Sequence, residues 1–247
     1  MVQQDIAQER FHRLLPASAT SNLNVLMVGA GAIGSRLGIE LAKLGVRNFV
    51  IYDNDAVEVE NVGVQAFDYR DIGTNKAIAL RERMLHQTKE PPTVTVRQRF
   101  FTEKTIIPAR INVVISAVDN VDARINLINA CLRSKSKNSK FYMDGRMGAL
   151  SCELWCGEFA GGERPLDVDK YITSLTDKEF KPAPCGQKAV PYTAAMLSAI
   201  MANQLRKWTL GHAIIPWQLH NLDAGMYLNS DTTRPSKKRR QECMSGM

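Results

Sequence analysis

The sequence predicts an α/β fold with a doubly wound, mostly parallel sheet that is extended by antiparallel strands and flanked by helices. Two observations predict the parallel part. Uninterrupted apolar runs alternate with segments of helical spacing, and a glycine-rich turn joins the first such pair. A third observation predicts the antiparallel extension: from Ala149 the sequence "ALSCELWCGEF" alternates as an exposed or antiparallel strand does.

The first half of the chain supplies the parallel strands. The predicted strands are "NVLMVGA", "NFVIYD", "TVTVRQRF", "INVVISAVD" and "KFYMDG". The predicted helices are "AIGSRLGIELAKLG", which stops at Gly45, "NKAIALRERMLHQ" and "NVDARINLINACLRS". Strands that alternate with helices in this way form parallel sheets through right-handed crossovers.

The second half of the chain is less regular. The stretch "PLDVDKYITSL" mixes apolar and polar residues and is assigned to no element, and residues 176–187 are typical of a polar loop with two prolines. The long apolar pattern of "AVPYTAAMLSAIMANQLRKWTLG" then predicts a helix that closes the chain.

The glycine-rich turn "GAGAIGS" lies between the first predicted strand and the first predicted helix. Gly29, Gly31 and Gly34 let the backbone turn tightly and point the helix N-terminus at a phosphate. Asp53 ends the second strand, where a carboxylate can accept hydrogen bonds from a ribose. This context predicts nucleotide binding, and the alternative is that the glycines serve only helix–strand packing. An oxidoreductase that uses NAD would need little more than these features.

A longer motif separates the chain from such an oxidoreductase. In "DNDAVEVENVGVQAFDYRDIGTNKA", residues 53–77, the pattern D-x-D-x-V-E-x-x-N is followed by Q-x-F and by D-I-G-x-x-K-A. With "GAGAIGS", "ISAVDNVDARINL" and "QERFHRLL", this pattern resembles the adenylating family of ThiF, MoeB and the ubiquitin-activating enzymes. The segments "MDGRMGA" and "PCGQKAVPYTAA" are similar to stand-alone bacterial and phage-type ThiF proteins.

The resemblance implies an adenylyltransferase that uses ATP and Mg²⁺ to activate a carboxylate, with the C-terminal glycine of a ubiquitin-like or sulfur-carrier protein as the expected substrate. It implies that Asp53 holds the ribose, that Asn61 and Lys76 contact the triphosphate, and that Asp119 binds Mg²⁺. The full expected nucleotide site is Gly29, Gly31, Gly34, Asp53, Asp55, Asn61, Gln65, Lys76, Asp119 and Asn120. Simpler roles stay open, because Lys76 could be a surface lysine and Asp119 a helix cap.

Three further residues complete the expected catalytic set. Arg10 and Arg13 resemble arginines that reach into a neighbouring protomer's site, which implies a homodimer; the alternative is an ordinary solvated helix face. Cys185 follows a proline-containing loop and precedes the closing helix, a setting that favours the thiolate. It is the expected nucleophile for a thioester or acyl disulfide with the carrier, unless it simply packs under that helix.

One position departs from the family pattern. Where the family has N-x-x-R-Q, this chain has "NVGVQ", so Val64 replaces an arginine that is expected to meet the phosphates. Arg70 and Arg146 are the sequence candidates for the missing charge. Loss of activity through Val64 would leave a nucleotide-binding scaffold, and a relative that adenylates a small molecule, a peptide or tRNA also stays open.

Composition limits the remaining choices. The chain has 247 residues and a formal charge of +7, of which +4 belongs to a tail with five basic residues and one glutamate. We therefore expect a single ThiF-type domain over residues 1–232 and a basic, disordered tail over 233–247.

The sequence also predicts a soluble, cytoplasmic protein without a membrane partner. It has five cysteines without paired spacing, no signal peptide and no apolar run of the ~20 residues that span a bilayer. Aromatic residues form no base-stacking series, so no nucleic-acid partner is expected for the body. Cys131, Cys152 and Cys156 are expected to pack in the core.

Overall fold

The structure, a computed structural model, describes residues 10–134, 141–159, 166–176 and 189–232. They form one eight-stranded sheet in the order β3-β2-β1-β4-β5-β6-β7-β8. The strands are β1 (Asn24–Val28), β2 (Asn48–Tyr52), β3 (Thr93–Arg97), β4 (Val113–Ser116), β5 (Phe141–Met147), β6 (Ser151–Glu158), β7 (Trp217–Asn221) and β8 (Met226–Asn229). The helices are α1 (Ala17–Ser21), α2 (Ala32–Lys43), α3 (Val59–Val62), α4 (Lys76–His86), α5 (Val121–Arg133), α6 (Val168–Thr176) and α7 (Pro191–Thr209).

The sheet has a parallel and an antiparallel part, which confirms the predicted fold class. Strands β1 to β5 pair in parallel, and β5, β6, β7 and β8 pair as antiparallel neighbours. The order reverses at β1, because the chain moves outward to β2 and β3 and then returns to place β4 on the other side of β1. Ligands of open α/β sheets bind outside the carboxyl ends of the strands at such a reversal.

Two elements differ from the sequence-based expectation. The chain does not close with α7, because β7 and β8 follow it and form a hairpin at the sheet edge. The mixed segment after β6 is the helix α6, whose Val168, Tyr171, Ile172 and Leu175 recur at helical spacing and belong to the core. The expected polar loop beyond this helix and the tail at 233–247 lie outside the described residues.

Apolar side chains cover both faces of the sheet. Helices α2, α4 and α7 bury one face, through residues such as Leu37, Leu80 and Met201. Helices α5 and α6 contribute to the other face, through residues such as Leu127 and Tyr171. This double cover explains why β4 is buried at all four positions and has no polar alternation. No helix within the described ranges is long and apolar enough to cross a membrane.

Candidate nucleotide site

The glycine turn lies at the carboxyl end of β1, where the strand order reverses. Gly29 has a φ of +95°, and a Cβ there would lie 2.4 Å from the Ala117 carbonyl oxygen. A Cβ on Gly34 would lie 2.1 Å from the Gly29 oxygen. These two glycines are therefore required by packing. Gly31 is different, since a Cβ there would meet nothing within 4 Å.

Helix α2 begins directly after Gly31 and presents an open N-terminus. No side chain caps its first turn, so its first N–H groups lack a capping acceptor. The helix dipole adds partial positive charge at the same point. Open space beside Gly31 and an uncapped helix start are the features that a phosphate requires, so the residues present fit a bound nucleotide.

Asp53 fixes the edge of this turn. One carboxylate oxygen accepts a 2.6 Å hydrogen bond from the Ala30 N–H, and the other accepts a 2.9 Å bond from the Asp55 N–H. Burial raises the pKa of Asp53 above its usual value, although these two bonds and the charge of Lys76 oppose the rise. Each carboxylate oxygen has a further lone pair that could accept from a hydroxyl group.

Lys76 is held beside Asp53 by the loop that follows β2. Its ammonium group lies 3.1 Å from an Asp55 carboxylate oxygen, and its backbone N–H donates to the Asp55 carbonyl. Asn75 caps α4 and donates from its side chain to the carbonyls of Asp53 and Asp55. Hydrogen bonds and one ion pair therefore connect Asp53, Lys76 and the glycine turn.

Asn61 and Gln65 lie on the same loop, next to α2. Asn61 accepts from the Glu58 N–H and so shapes the short helix α3. Gln65 Oε1 is buried and has no hydrogen-bond partner among the described residues. Because an unpaired buried acceptor is costly, Gln65 is suited to accept from a ligand.

Asp119 and Asn120 lie just beyond the end of β4. Both are exposed, and Asn120 caps α5 by accepting from the Ala123 N–H at 2.8 Å. Asp119 therefore does not act as this cap. Among the described residues, no group of three or more His, Cys, Asp or Glu side chains could hold a metal ion. A single carboxylate fits Mg²⁺ that is held mainly by phosphates and water.

The two sequence candidates for the charge missing at Val64 have other partners. The side chain of Arg70 is 91% exposed and pairs with Asp68. Arg146 is buried on β5, where it donates to Asp144 at 2.7 Å and to Glu153 at 3.2 Å. The expectation that either folds over the site is therefore not supported by these contacts.

The buried ionic cluster around Arg146 was not foreseen from the sequence. Asp144 is fully buried and accepts from both Arg124 and Arg146, and Glu153 accepts from Arg146. The Arg146 guanidinium also lies 5.1 Å from the centre of the Tyr171 ring. The short charged sequence "DGR" could have indicated this cluster, because charged side chains within a buried strand need partners.

The remaining predicted residues have mixed outcomes. Arg10 and Arg13 are exposed in a turn near the start of the described chain, and Cys185 lies outside the described residues. The other three cysteines singled out above, Cys131, Cys152 and Cys156, are buried, which confirms their packing role. Burial raises the pKa of the Cys152 thiol to about 11, which leaves it protonated at neutral pH.

The chain is similar in sequence to known adenylating proteins. The probable molybdopterin-synthase adenylyltransferase of Porphyra purpurea is 27% identical over 162 residues, which cover 63% of this chain and 40% of that protein. Ubiquitin-like modifier-activating enzyme 5 of Caenorhabditis elegans is 26% identical over 119 residues, which cover 43% and 28% respectively. The chain thus spans less than half the length of these curated relatives.

A solved structure supports the fold. Escherichia coli MccB, crystallised with AMPCPP and MccA, has a TM-score of 0.67 at 18% identity, over 94% of this chain and 73% of that one. The ThiF family model matches residues 17–245, nearly the whole sequence. This chain therefore belongs to the ThiF family.

Proposed function

We propose that this protein is an ATP-dependent adenylyltransferase whose substrate is a carboxylate, with the C-terminal glycine of a ubiquitin-like or sulfur-carrier protein as the preferred candidate. The observation that carries the proposal is the joining of Asp53 and Lys76 to an uncapped helix N-terminus in a ThiF-family chain. The names of the relatives, a molybdopterin-synthase adenylyltransferase and a ubiquitin-like modifier-activating enzyme, support the substrate class.

In adenylation, a carboxylate oxygen bonds to the α-phosphorus while the bond to pyrophosphate breaks. The products are an acyl-adenylate and pyrophosphate, and the enzyme must stabilise negative charge without forming a bond itself. The first N–H groups of α2 and the ammonium group of Lys76 are suited to that task. Asp53 would accept from the ribose, and Asn61 and Gln65 would bind around the phosphates.

Magnesium, when bound, neutralises phosphate charge and favours departure of pyrophosphate. Asp119 would hold it as a single exposed carboxylate, with Asn120 beside it at the start of α5. Because the Asp119 carboxylate accepts no bond from a backbone N–H of α5 among the described contacts, it is available for this role.

Two parts of the proposal depend on residues that the described contacts do not connect to the site. Arg10 and Arg13 would complete the site of a second copy of the chain, which makes the active form a homodimer. Cys185 would attack the acyl-adenylate, release AMP and hold the carrier as a thioester. The exposure of the two arginines is compatible with the first part.

Exchange of labelled pyrophosphate into ATP tests the proposed reaction. We expect exchange that requires a carrier protein with a free C-terminal glycine, and none with the same carrier amidated at that carboxylate. Replacing Cys185 by alanine should preserve exchange and remove a thiol-sensitive adduct with the carrier on a non-reducing gel. Cys243→Ala in the tail is the matched control and should keep the adduct.

A second candidate is a nucleotide-binding scaffold without catalysis, which Val64 favours. In that case ATP binds but pyrophosphate exchange is absent with carriers, short peptides and tRNA alike. Exchange that requires a peptide or tRNA instead of a carrier would keep adenylation and replace the substrate.

A further inference from the structure

Arg36 on α2 contacts the position where the family arginine is missing. Its Nε and Nη2 atoms donate to the backbone carbonyl oxygen of Val64 at 3.3 and 3.0 Å. The Val64 side chain cannot bind a phosphate, but a guanidinium group is nevertheless held at this residue. It comes from the helix instead of the loop.

The loop carrying Val64 packs on the first turns of α2. A second bond ties it there, because the Ser35 hydroxyl oxygen accepts from the Ala66 N–H at 3.0 Å. Helical side chains lean toward the N-terminus of their helix. Arg36 lies four residues after Ala32, the first residue of α2, so its side chain leans toward the uncapped turn beside Gly31.

The charge of Arg36 is not balanced by a carboxylate in the described part of the chain. Its two hydrogen bonds among the described residues both go to the Val64 carbonyl, and its Nη1 donates to no described residue. Other arginines of the region form ion pairs with carboxylates: Arg70 pairs with Asp68, and Arg83 pairs with Asp71. A half-buried cation near the positive end of a helix is unfavourable by itself, and a bound anion would relieve it.

We propose that Arg36 supplies the positive charge for the β- and γ-phosphates of ATP that Val64 cannot supply. This inference rests on the proposed function, because it assigns a residue to the same nucleotide site. The Val64 carbonyl orients the guanidinium through two of its nitrogens and leaves the third for a phosphate oxygen. An arginine on α2 thereby replaces the arginine of the family loop.

Calorimetric titration of the full chain with ATP and with AMP, each with Mg²⁺, tests this role. Arg36→Ala should weaken ATP binding about tenfold to a hundredfold, the effect of losing charge-assisted hydrogen bonds. AMP binding should not change, because AMP has no β- or γ-phosphate. Arg36→Gln can still donate to the Val64 carbonyl but has no charge, and we expect the same selective loss.

Two controls separate charge from loop structure. Arg81→Ala removes a half-exposed arginine that pairs with Glu82 on α4 and should bind both nucleotides normally. Val64→Arg, introduced into Arg36→Ala, should restore ATP affinity by returning the charge to the loop.

The outcomes distinguish the two levels of proposal. ATP binding that is equal in the parent, Arg36→Ala and Arg36→Gln overturns the role of Arg36 and leaves the proposed function intact. Equal loss of ATP and AMP in Arg36→Gln also overturns it, since the residue would then act only on loop structure. A parent chain that binds no ATP overturns both proposals.

Discussion

Replacing Asp144 by alanine is expected to lower the free energy of unfolding by about 3–5 kcal/mol, the cost of breaking a buried ion pair by removing one partner. Asp144 is fully buried and accepts from the guanidinium groups of Arg124 and Arg146. Without it, two buried arginines lose their shared carboxylate. Urea unfolding at pH 7 measures the change, with Asp223→Ala in the exposed β7–β8 turn as the control.

The same substitution should alter the acid dependence of stability. Burial acts to raise the pKa of Asp144, but the charges of Arg124 and Arg146 outweigh it and hold the pKa below its usual value. A carboxyl group with a lowered folded-state pKa stabilises the fold above its unfolded pKa of about 3.9, and this contribution is lost as pH falls through the folded value. Asp144→Ala should therefore lose less stability than the parent on acidification below about pH 4. An unfolding free energy within about 0.5 kcal/mol of the parent at pH 7 would show that the cluster contributes little.

Replacing Lys76 by alanine is expected to reduce carboxylate-dependent pyrophosphate exchange by about a hundredfold or more, the usual effect of removing an electrostatic group that stabilises a transition state. Lys76 is the first residue of α4 and its ammonium group is fixed by Asp55. Alanine suits a helix, so the fold should be retained. Initial exchange rates at saturating ATP measure the effect, and Lys89→Ala, an exposed lysine just beyond α4, is the matched control.

The Lys76 variant also tests the homodimer. Mixed with a chain that carries Arg10→Ala and Arg13→Ala, it should regain part of the exchange activity, because one of the two hybrid sites then has all its residues. A fully active monomer at the assay concentration would refute a site shared between protomers.

Local sequence patterns were sufficient to predict the parallel half of the fold. The first strand, glycine turn and helix α2 were predictable because apolar runs, glycine positions and helical spacing all indicated the same structure. The hairpin of β7 and β8 was missed because each strand is short, and β8 is exposed along its whole length. Strand β7 is defined by its pairing with β6, and β8 by its pairing with β7, and a local sequence pattern does not show either pairing. The apolar residues of α6 recur at helical spacing, at Val168, Tyr171, Ile172 and Leu175. The helix was nevertheless not predicted, because polar residues lie between them.

The sequence predicted the site only where the functional residues lie close together along the chain. Asp53 and Lys76 were identified through a motif within one stretch of sequence. The contact of Arg36 with Val64 joins residues 28 positions apart, and no local sequence pattern predicts it. The same holds for Asp144 and Arg124, which are 20 positions apart on a strand and a helix. Contacts of this kind depend on how the loop packs against α2 and how α5 crosses the sheet.

The central claim is that this glycine turn binds ATP for adenylation and does not bind a nicotinamide cofactor. Calorimetric titration of the full chain with ATP and Mg²⁺, and separately with NAD, tests it most directly because no carrier protein is needed. We predict saturable ATP binding that weakens in Asp119→Ala when Mg²⁺ is present, and no NAD binding. Tight NAD binding without ATP binding would contradict the account.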